Sequence, residues 1–310
     1  MLKKIVFMGT PVFAVPILKS LYQNGYPISV VYTQPPQKSQ RGLEVNKSPI
    51  QGISETLKID YRTPFSLKSN KKEYEYLKKL DPDIVIVVAY GQIIPKEFLK
   101  LSKKGFINIH ASLLPKWRGA APIQRSIMNL EKESGISIMK IEEKLDAGPI
   151  YDSYKIEITN YDNAEIISEK LSLLASEKIL SVIDNILSEK IKFREQDHQK
   201  ATYAPKIQKY EGQINWNDTA EKIIGKINGL YPSPGAFFIF KGERYKILKA
   251  ELAFGDGNVG DILDDCLEIS CGNNKSIKIL EIQRQGRRSQ NISQFILGSQ
   301  IKKGSNLTNA

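Results

Sequence analysis

Cysteine and histidine are scarce in this chain, and long apolar runs are missing from it. The two cysteines, Cys266 and Cys271, lack the paired CxxC spacing of a structural zinc site, so both are expected as reduced strand residues. With only His110 and His198 present, a His-rich metal site or a relay of several imidazoles is excluded by counting, and no metal is expected. No stretch approaches the roughly 20 consecutive apolar residues that cross a bilayer. The apolar stretch after Lys3 and Lys4 is too brief for a secretory signal and no small-residue cleavage site follows it. A cytoplasmic address away from any membrane is therefore expected. No internal repeat is found, and the first strand is not followed by GxGxxG, which disfavours dinucleotide binding.

What is there begins with size. At 310 residues the chain exceeds the usual single domain, so two domains are expected, each burying its own core. Hydrophobic residues at 41% and charged residues at 25% are ordinary for a globular protein. Lys and Arg outnumber Asp and Glu by 45 to 34, a formal +11 that favours a polyanionic partner. The imbalance is sharpest in the last forty residues. There Lys275, Lys278, Arg284, Arg287, Arg288, Lys302 and Lys303 face only Glu281.

The first half alternates strand and helix signals at βαβ spacing, which predicts an α/β domain with a Rossmann-like, doubly wound and mostly parallel sheet. Strands are expected at 4–8, 28–33, 83–90, 105–111 and 135–141, with an edge strand at 152–158. Thr10 as N-cap with Pro11 at the first helical position predicts a helix to about residue 24, stopped by Gly25. Helices are also expected near 49–58, 70–80 and 120–130. A longer one, opened by Asp162 and Glu165 as a capping pair, should end near Lys190. Residues 35–49, rich in Gln, Lys and Pro, read as an exposed irregular loop. The run at 191–206 has mixed charge and no apolar period and reads as a linker. Beyond it, short apolar stretches at 236–240, 245–250, 260–263, 267–271 and 277–282, with one helix near 219–230, predict a small β-barrel. The division expected is thus 1–190, a linker at 191–206, and 207–310.

In the strand ending at His110, side chains alternate between faces, so Asn108 and His110 share one side at the carboxyl end. Open α/β sheets bind ligands there. Alone, such a pair is more often a satisfied core histidine beside an amide. The loop Ser112-Leu113-Leu114-Pro115-Lys116-Trp117-Arg118-Gly119 follows directly and has the composition of a pocket lip. Asp146-Ala147-Gly148 comes next. Such an Asp-x-Gly is commonly a turn, but if the strand before it is parallel it too lies at the carboxyl edge. Taken together, an amide and an imidazole can donate to a developing oxyanion while the carboxylate orients the imidazole and relays protons. No nucleophilic Ser or Cys fits, so direct transfer of an acyl group to an amine is the reaction this set predicts.

These residues resemble the folate-dependent formyltransferases. The resemblance rests on Gly9-Thr10-Pro11-Val12-Phe13-Ala14, Tyr32-Thr33-Gln34-Pro35, Val88-Ala89-Tyr90-Gly91, Asn108-Ile109-His110, Ser112-Leu113-Leu114-Pro115, Arg118 through Gln124, and Leu145-Asp146-Ala147-Gly148, and it spans the chain. The string from Trp117 to Gln124 and the opening Tyr203-Ala204-Pro205-Lys206-Ile207 look like the members acting on charged tRNA. The resemblance implies a catalytic first domain and an OB-like β-barrel that binds tRNA. It implies Asn108, His110 and Asp146 as catalytic residues, and 10-formyltetrahydrofolate as the formyl donor. Folate contacts would fall on Ser112, Leu113, Leu114 and Pro115, with Tyr90 and Gly91 as pocket wall rather than core. Initiator methionyl-tRNA would be the acceptor, with Phe13 near the methionine side chain and Arg41 the central basic residue of loop 35–49. That loop carries a net +2 only, from Lys38, Arg41 and Lys47 against Glu44. A monomer is expected.

Overall fold

The computed structural model describes residues 3–39, 44–190 and 192–308. In chain order the strands and helices are β1 (Ile5–Gly9), α1 (Val15–Gln23), β2 (Ile28–Tyr32), β3 (Gln37–Ser39), β4 (Glu44–Asn46), α2 (Pro49–Leu57), β5 (Tyr61–Arg62), α3 (Lys71–Leu80), β6 (Ile84–Val88), α4 (Lys96–Leu99), β7 (Phe106–His110), β8 (Arg118–Gly119), α5 (Pro122–Met128), β9 (Glu133–Lys140), β10 (Ile150–Glu157), α6 (Ala164–Leu187), β11 (Tyr203–Ala204), α7 (Ala220–Leu230), β12 (Ala236–Phe240), β13 (Glu243–Ala253), β14 (Glu268–Ser270), β15 (Ser276–Arg284), β16 (Gln290–Asn291) and α8 (Ile292–Phe295). They form two compact units. One comprises residues 1–119, 135–156 and 168–203; the other comprises 120–134, 157–167 and 204–310. Segments from the first half of the sequence, α5 among them, thus belong to the second unit.

The first unit is built on a seven-stranded sheet of order β10-β9-β7-β6-β1-β2-β5. Pairings from β5 to β7 are parallel, and β1 and β6 are buried along their whole length, as expected of strands covered on both faces. Because the chain leaves β1 for β2 on one side and returns to β6 on the other, the sheet is doubly wound with its switch point at Gly9 and Val88. The exception to the parallel rule is β9, which is antiparallel to β7, with His110 opposite Ser137 and Ile107 opposite Lys140. The end of β9 therefore lies beside the start of β7. The expectation that Asp146 stands at the carboxyl edge because its strand is parallel is corrected: the connection after β9 has to run back toward His110.

Local signals differ from expectation where a side chain has a stronger partner elsewhere. Thr10 does not cap α1; its hydroxyl donates to the Tyr90 carbonyl at 2.8 Å, and after a 3₁₀ turn at Val12–Ala14 the helix starts at Val15. Asn163, not Asp162, accepts the N–H of Ile166 at the head of α6, while Asp162 takes the N–H and hydroxyl of Thr159. Loop 35–49 contains a short antiparallel ribbon, β3 against β4. Arg41 lies outside the described residues.

Residues 192–203 of the segment read as a linker are built into the first unit, and 204–206 belong to the second. Arg194 and Ile150 exchange both backbone hydrogen bonds at 2.8 Å, and Thr202 pairs with Pro115 and Arg118. The run shows no apolar period because hydrogen bonds, rather than buried apolar side chains, hold it.

The second unit carries an antiparallel sheet of order β12-β13-β15-β14 with β16 on β15, curled around a core that includes Trp216, Ile223, Ile227, Phe238, Tyr245 and Ile277. This is the OB-like half of the expected fold. The stretch at 260–263 makes single bridges, Asp261 to Asn306 and Ile262 to Ile269, instead of a strand. Thr219 caps α7, its hydroxyl accepting the N–H of Lys222. Among the described residues no helix is long and apolar enough to cross a membrane.

Candidate functional site

Asn108 and His110 project from one face of β7, where Val87 of β6 and Met139 of β9 flank Asn108. The Asn108 side chain is half-buried, and among the described residues its amide has no hydrogen-bond partner. His110 is 6% exposed and held from both sides. Its Nε2 lies 2.9 Å from the carbonyl oxygen of Trp117, and its Nδ1 lies 3.6 Å from Asp146 Oδ2. A carbonyl can only accept, so Nε2 donates there, leaving the Nδ1 edge turned to the carboxylate. Asp146 Oδ2 also accepts the backbone N–H of Gly119 at 2.9 Å. One loop, 112–119, thus supplies the acceptor that anchors the imidazole and the donor that anchors the carboxylate.

Strained backbone carries both the residue that anchors the imidazole and the carboxylate itself. Trp117 has φ +63° and Asp146 φ +45°, the left-handed region that non-glycine residues seldom occupy. At Gly148 a Cβ would lie 2.0 Å from the Lys140 carbonyl oxygen, so only glycine lets the turn close on the end of β9.

The residues expected to contact folate fall into distinct environments. Ser112 is buried, and its hydroxyl donates to the Lys116 carbonyl at 2.6 Å while its own carbonyl accepts from Ser137 Oγ at 2.8 Å, so it braces the loop. Leu114 is buried with Met139 and Ile150, and Ser137 Oγ accepts its N–H at 3.0 Å. Leu113 and Pro115 remain half-buried. Tyr90 is corrected from pocket wall to core. It belongs to the buried cluster that includes Val6, Met8, Val30 and Phe98, the left-handed Ala89 (φ +46°) having broken the strand's alternation just before it. What faces outward at this strand end is the backbone of Ala89 (φ +46°) and Gly91 (φ +78°), both exposed. At Gly91 a Cβ would sit 2.2 Å from Gln34 Nε2, the atom that donates to the Tyr90 carbonyl at 3.2 Å. Phe13 is half-buried in the 3₁₀ turn after β1, and its carbonyl accepts from Ser172 Oγ at 2.7 Å.

Sequence reasoning missed Gln196. It is 6% exposed, and its amide nitrogen donates to the carbonyls of Asp146 at 2.9 Å and Gly148 at 2.7 Å. Its oxygen accepts from Arg118 Nε and Nη2 at 3.2 and 2.7 Å, and Arg118 Nη2 also donates to His198 Nδ1 at 2.9 Å. No periodicity or spacing marks a lone glutamine in a polar run.

In the second unit, the string after Gly119 and the segment opening at Lys206 meet. Ala121 and Gln124 line an open groove of about 330 Å³ together with Lys206, Lys209 and Ser233. Another groove, about 380 Å³, is lined by Arg284, Arg287, Arg288, Gln290 and Gln294. Arg284 is paired with Glu243, whereas Arg287 and Arg288 have no ion pair among the described residues.

Comparison with known proteins places these features in context. Residues 3–183 match the formyl transferase family model, and residues 206–300 match that of the formyl transferase C-terminal domain. The methionyl-tRNA formyltransferase of Pelagibacter ubique is 71% identical over 309 residues, covering the full length of both chains. Two solved structures share the fold. An N-formyltransferase from Helicobacter canadensis, in complex with folinic acid and dTDP-3-aminofucose, superposes with a TM-score of 0.70 at 20% identity over 92% of this chain and 100% of its own. The methionyl-tRNA formyltransferase of Clostridium thermocellum gives 0.56 at 21% identity over 81% of this chain and 93% of its own.

Proposed function

Because this chain belongs to the formyl transferase family, we propose that it transfers the formyl group of 10-formyltetrahydrofolate to the α-amine of initiator methionyl-tRNA. The observation that carries the chemistry is the approach of His110 Nδ1 to Asp146 Oδ2 at 3.6 Å, beside the unpartnered amide of Asn108. The acceptor is supported by the full-length relative at 71% identity, whose name gives it as methionyl-tRNA.

The residues fit such a donor. An amide without a partner stands next to an imidazole–carboxylate pair, at a sheet edge whose Ala89–Gly91 backbone is open. When bound, the folate supplies an activated formyl carbon on nitrogen. Asn108 donates to the formyl oxygen as negative charge develops on it. His110, fixed through Nε2 by Trp117, directs its Nδ1 edge at the same region; as the amine nitrogen bonds to the formyl carbon and the bond from that carbon to the folate nitrogen breaks, Asp146 Oδ2 takes up the amine's proton and passes it to the departing folate nitrogen. In this reading Leu113 and Pro115 form the folate wall with the Gly91 backbone, Ser112 and Leu114 hold that wall in place, and Phe13 meets the methionine side chain. Arg41 enters the acceptor end of the tRNA. Residues 1–190 carry the chemistry and 207–310 the RNA, the latter through the arginine-lined groove.

Supplying formyl-folate with charged initiator tRNA, charged elongator tRNA or free methionine tests the assignment. Formyl incorporation is expected on the charged initiator. Transfer to free methionine at an equal kcat/KM would refute it.

A further inference from the structure

We infer that Gln196, held by Arg118, is a positioning residue for the reaction: it sets the backbone turn from which Asp146 reaches His110. This inference rests on the reading of Asp146 as catalytic.

Asp146 sits at φ +45°, where a β-carbon crowds its own backbone, and such a conformation persists only when its surroundings over-determine it. Its strand offers no support there, since β9 ends beside Ile107 rather than beside His110. The carboxylate is fixed by the Gly119 N–H, but the peptide behind it needs a partner too. The Gln196 amide supplies one, spanning the carbonyls of Asp146 and Gly148 at 2.9 and 2.7 Å, on either side of Ala147. The orientation of that amide is not arbitrary. Arg118 can only donate, and it donates twice to Gln196 Oε1, so the nitrogen must face the two carbonyls. Arg118 and Gln196 are 4% and 6% exposed, so water does not replace these bonds cheaply.

Arg118 is also the residue between Trp117, whose carbonyl anchors His110, and Gly119, whose N–H anchors Asp146. The same strap continues to Thr202, where Oγ1 accepts the Trp117 N–H at 2.9 Å and the carbonyl accepts the Arg118 N–H at 2.9 Å. Residues 194–202 therefore tie the turn that carries Asp146 to the loop that holds His110. Only the relative placement of two reacting groups depends on the glutamine, and loss of such outer support characteristically lowers rate by about 10- to 100-fold.

Gln196→Glu separates the two halves of this arrangement. The carboxylate keeps its bond to Arg118 but cannot donate to the two carbonyls. In the full-length protein, kcat is expected to fall at least about 10-fold while KM for formyl-folate and for charged tRNA stays within about threefold. The ¹⁵N resonance of His110 Nδ1 should shift, since its carboxylate neighbour moves. A purely structural role would lower the folded fraction without altering kcat per folded molecule or that resonance. Arg118→Lys, which loses the two-pronged grip on Gln196 while keeping the charge, should reproduce the kcat loss in weaker form if Gln196→Glu does not fold. A kcat within twofold of the parent, or an unmoved His110 resonance, overturns the inference. Asp146→Asn is the control: if it leaves kcat intact, the catalytic reading itself fails, whereas inactive Asp146→Asn beside active Gln196→Glu sinks only the role of Gln196.

Discussion

His110 shows how one side chain is made useful by what its neighbours can and cannot do. Its Nε2 can bond the Trp117 carbonyl only as a donor, and that bond fixes the ring so that Nδ1 faces the Asp146 carboxylate 3.6 Å away. Removing it should take away a transition-state interaction and little else. His110→Ala is expected to lower turnover by about 10²- to 10³-fold with tRNA affinity nearly unchanged. If a filter-binding assay shows affinity falling as far as turnover does, the imidazole is holding RNA or the fold instead.

The elements that carry the site are fastened by polar contacts at the sheet's carboxyl edge as much as by their apolar faces. At the end of β2, Tyr32 Oη donates to Glu73 of α3 at 2.9 Å, and Arg62 of β5 grips the same carboxylate through Nε at 2.5 Å and Nη2 at 2.8 Å. Arg62 also lies over the Tyr76 ring at 4.0 Å. Burial alone would raise the Glu73 carboxyl, but the bonds from Arg62 and Tyr32 together with the Arg62 charge outweigh it and hold the group below the usual carboxylate range. A depressed value in the folded state means stability that is present above the unfolded value of about 4.3 and lost as pH falls through the folded one. Glu73→Gln should therefore cost about 2 kcal/mol at neutral pH, because it takes the ionic partner from the half-buried Arg62 guanidinium. That gap should narrow once the pH falls below the unfolded value of about 4.3, where the unfolded parent takes up a proton that the folded one, held low, still resists. Denaturant melts of both proteins at pH 7 and pH 3 check this; a gap of unchanged size at pH 3 contradicts a role for the carboxylate charge.

For the molecule as a whole, charge decides what it can meet. The excess of 45 basic over 34 acidic residues is spread along the chain, but in the second unit it becomes local where Arg287 and Arg288 flank a groove. Gln283 Nε2 donates to the Arg287 carbonyl at 2.9 Å, which fixes the turn presenting them. If this groove takes RNA phosphates, replacing both arginines by glutamine should lower the slope of log affinity against log salt by about two, roughly one per lost contact. Formyl transfer at saturating tRNA should be unaffected. Titrations of charged tRNA across a range of salt measure the slope, and an unchanged one removes the groove from the binding surface.

The doubly wound sheet and the antiparallel barrel half were legible in the chain, since alternation and buried β-branched runs are properties of neighbours in sequence. So was the placement of Asn108 and His110 on one face of their strand, because a two-residue period needs no partner to be read. The reversed direction of β9, the inward turn of Tyr90 and the release of Thr10 from its capping role were not, as each depends on which distant group competes for the same backbone or cavity. Gln196 is the plainest case. Its four hydrogen bonds go to residues 48 to 78 positions away, so its part in the site comes into being only when the chain closes on itself and a low-dielectric interior makes every unpaired polar group costly.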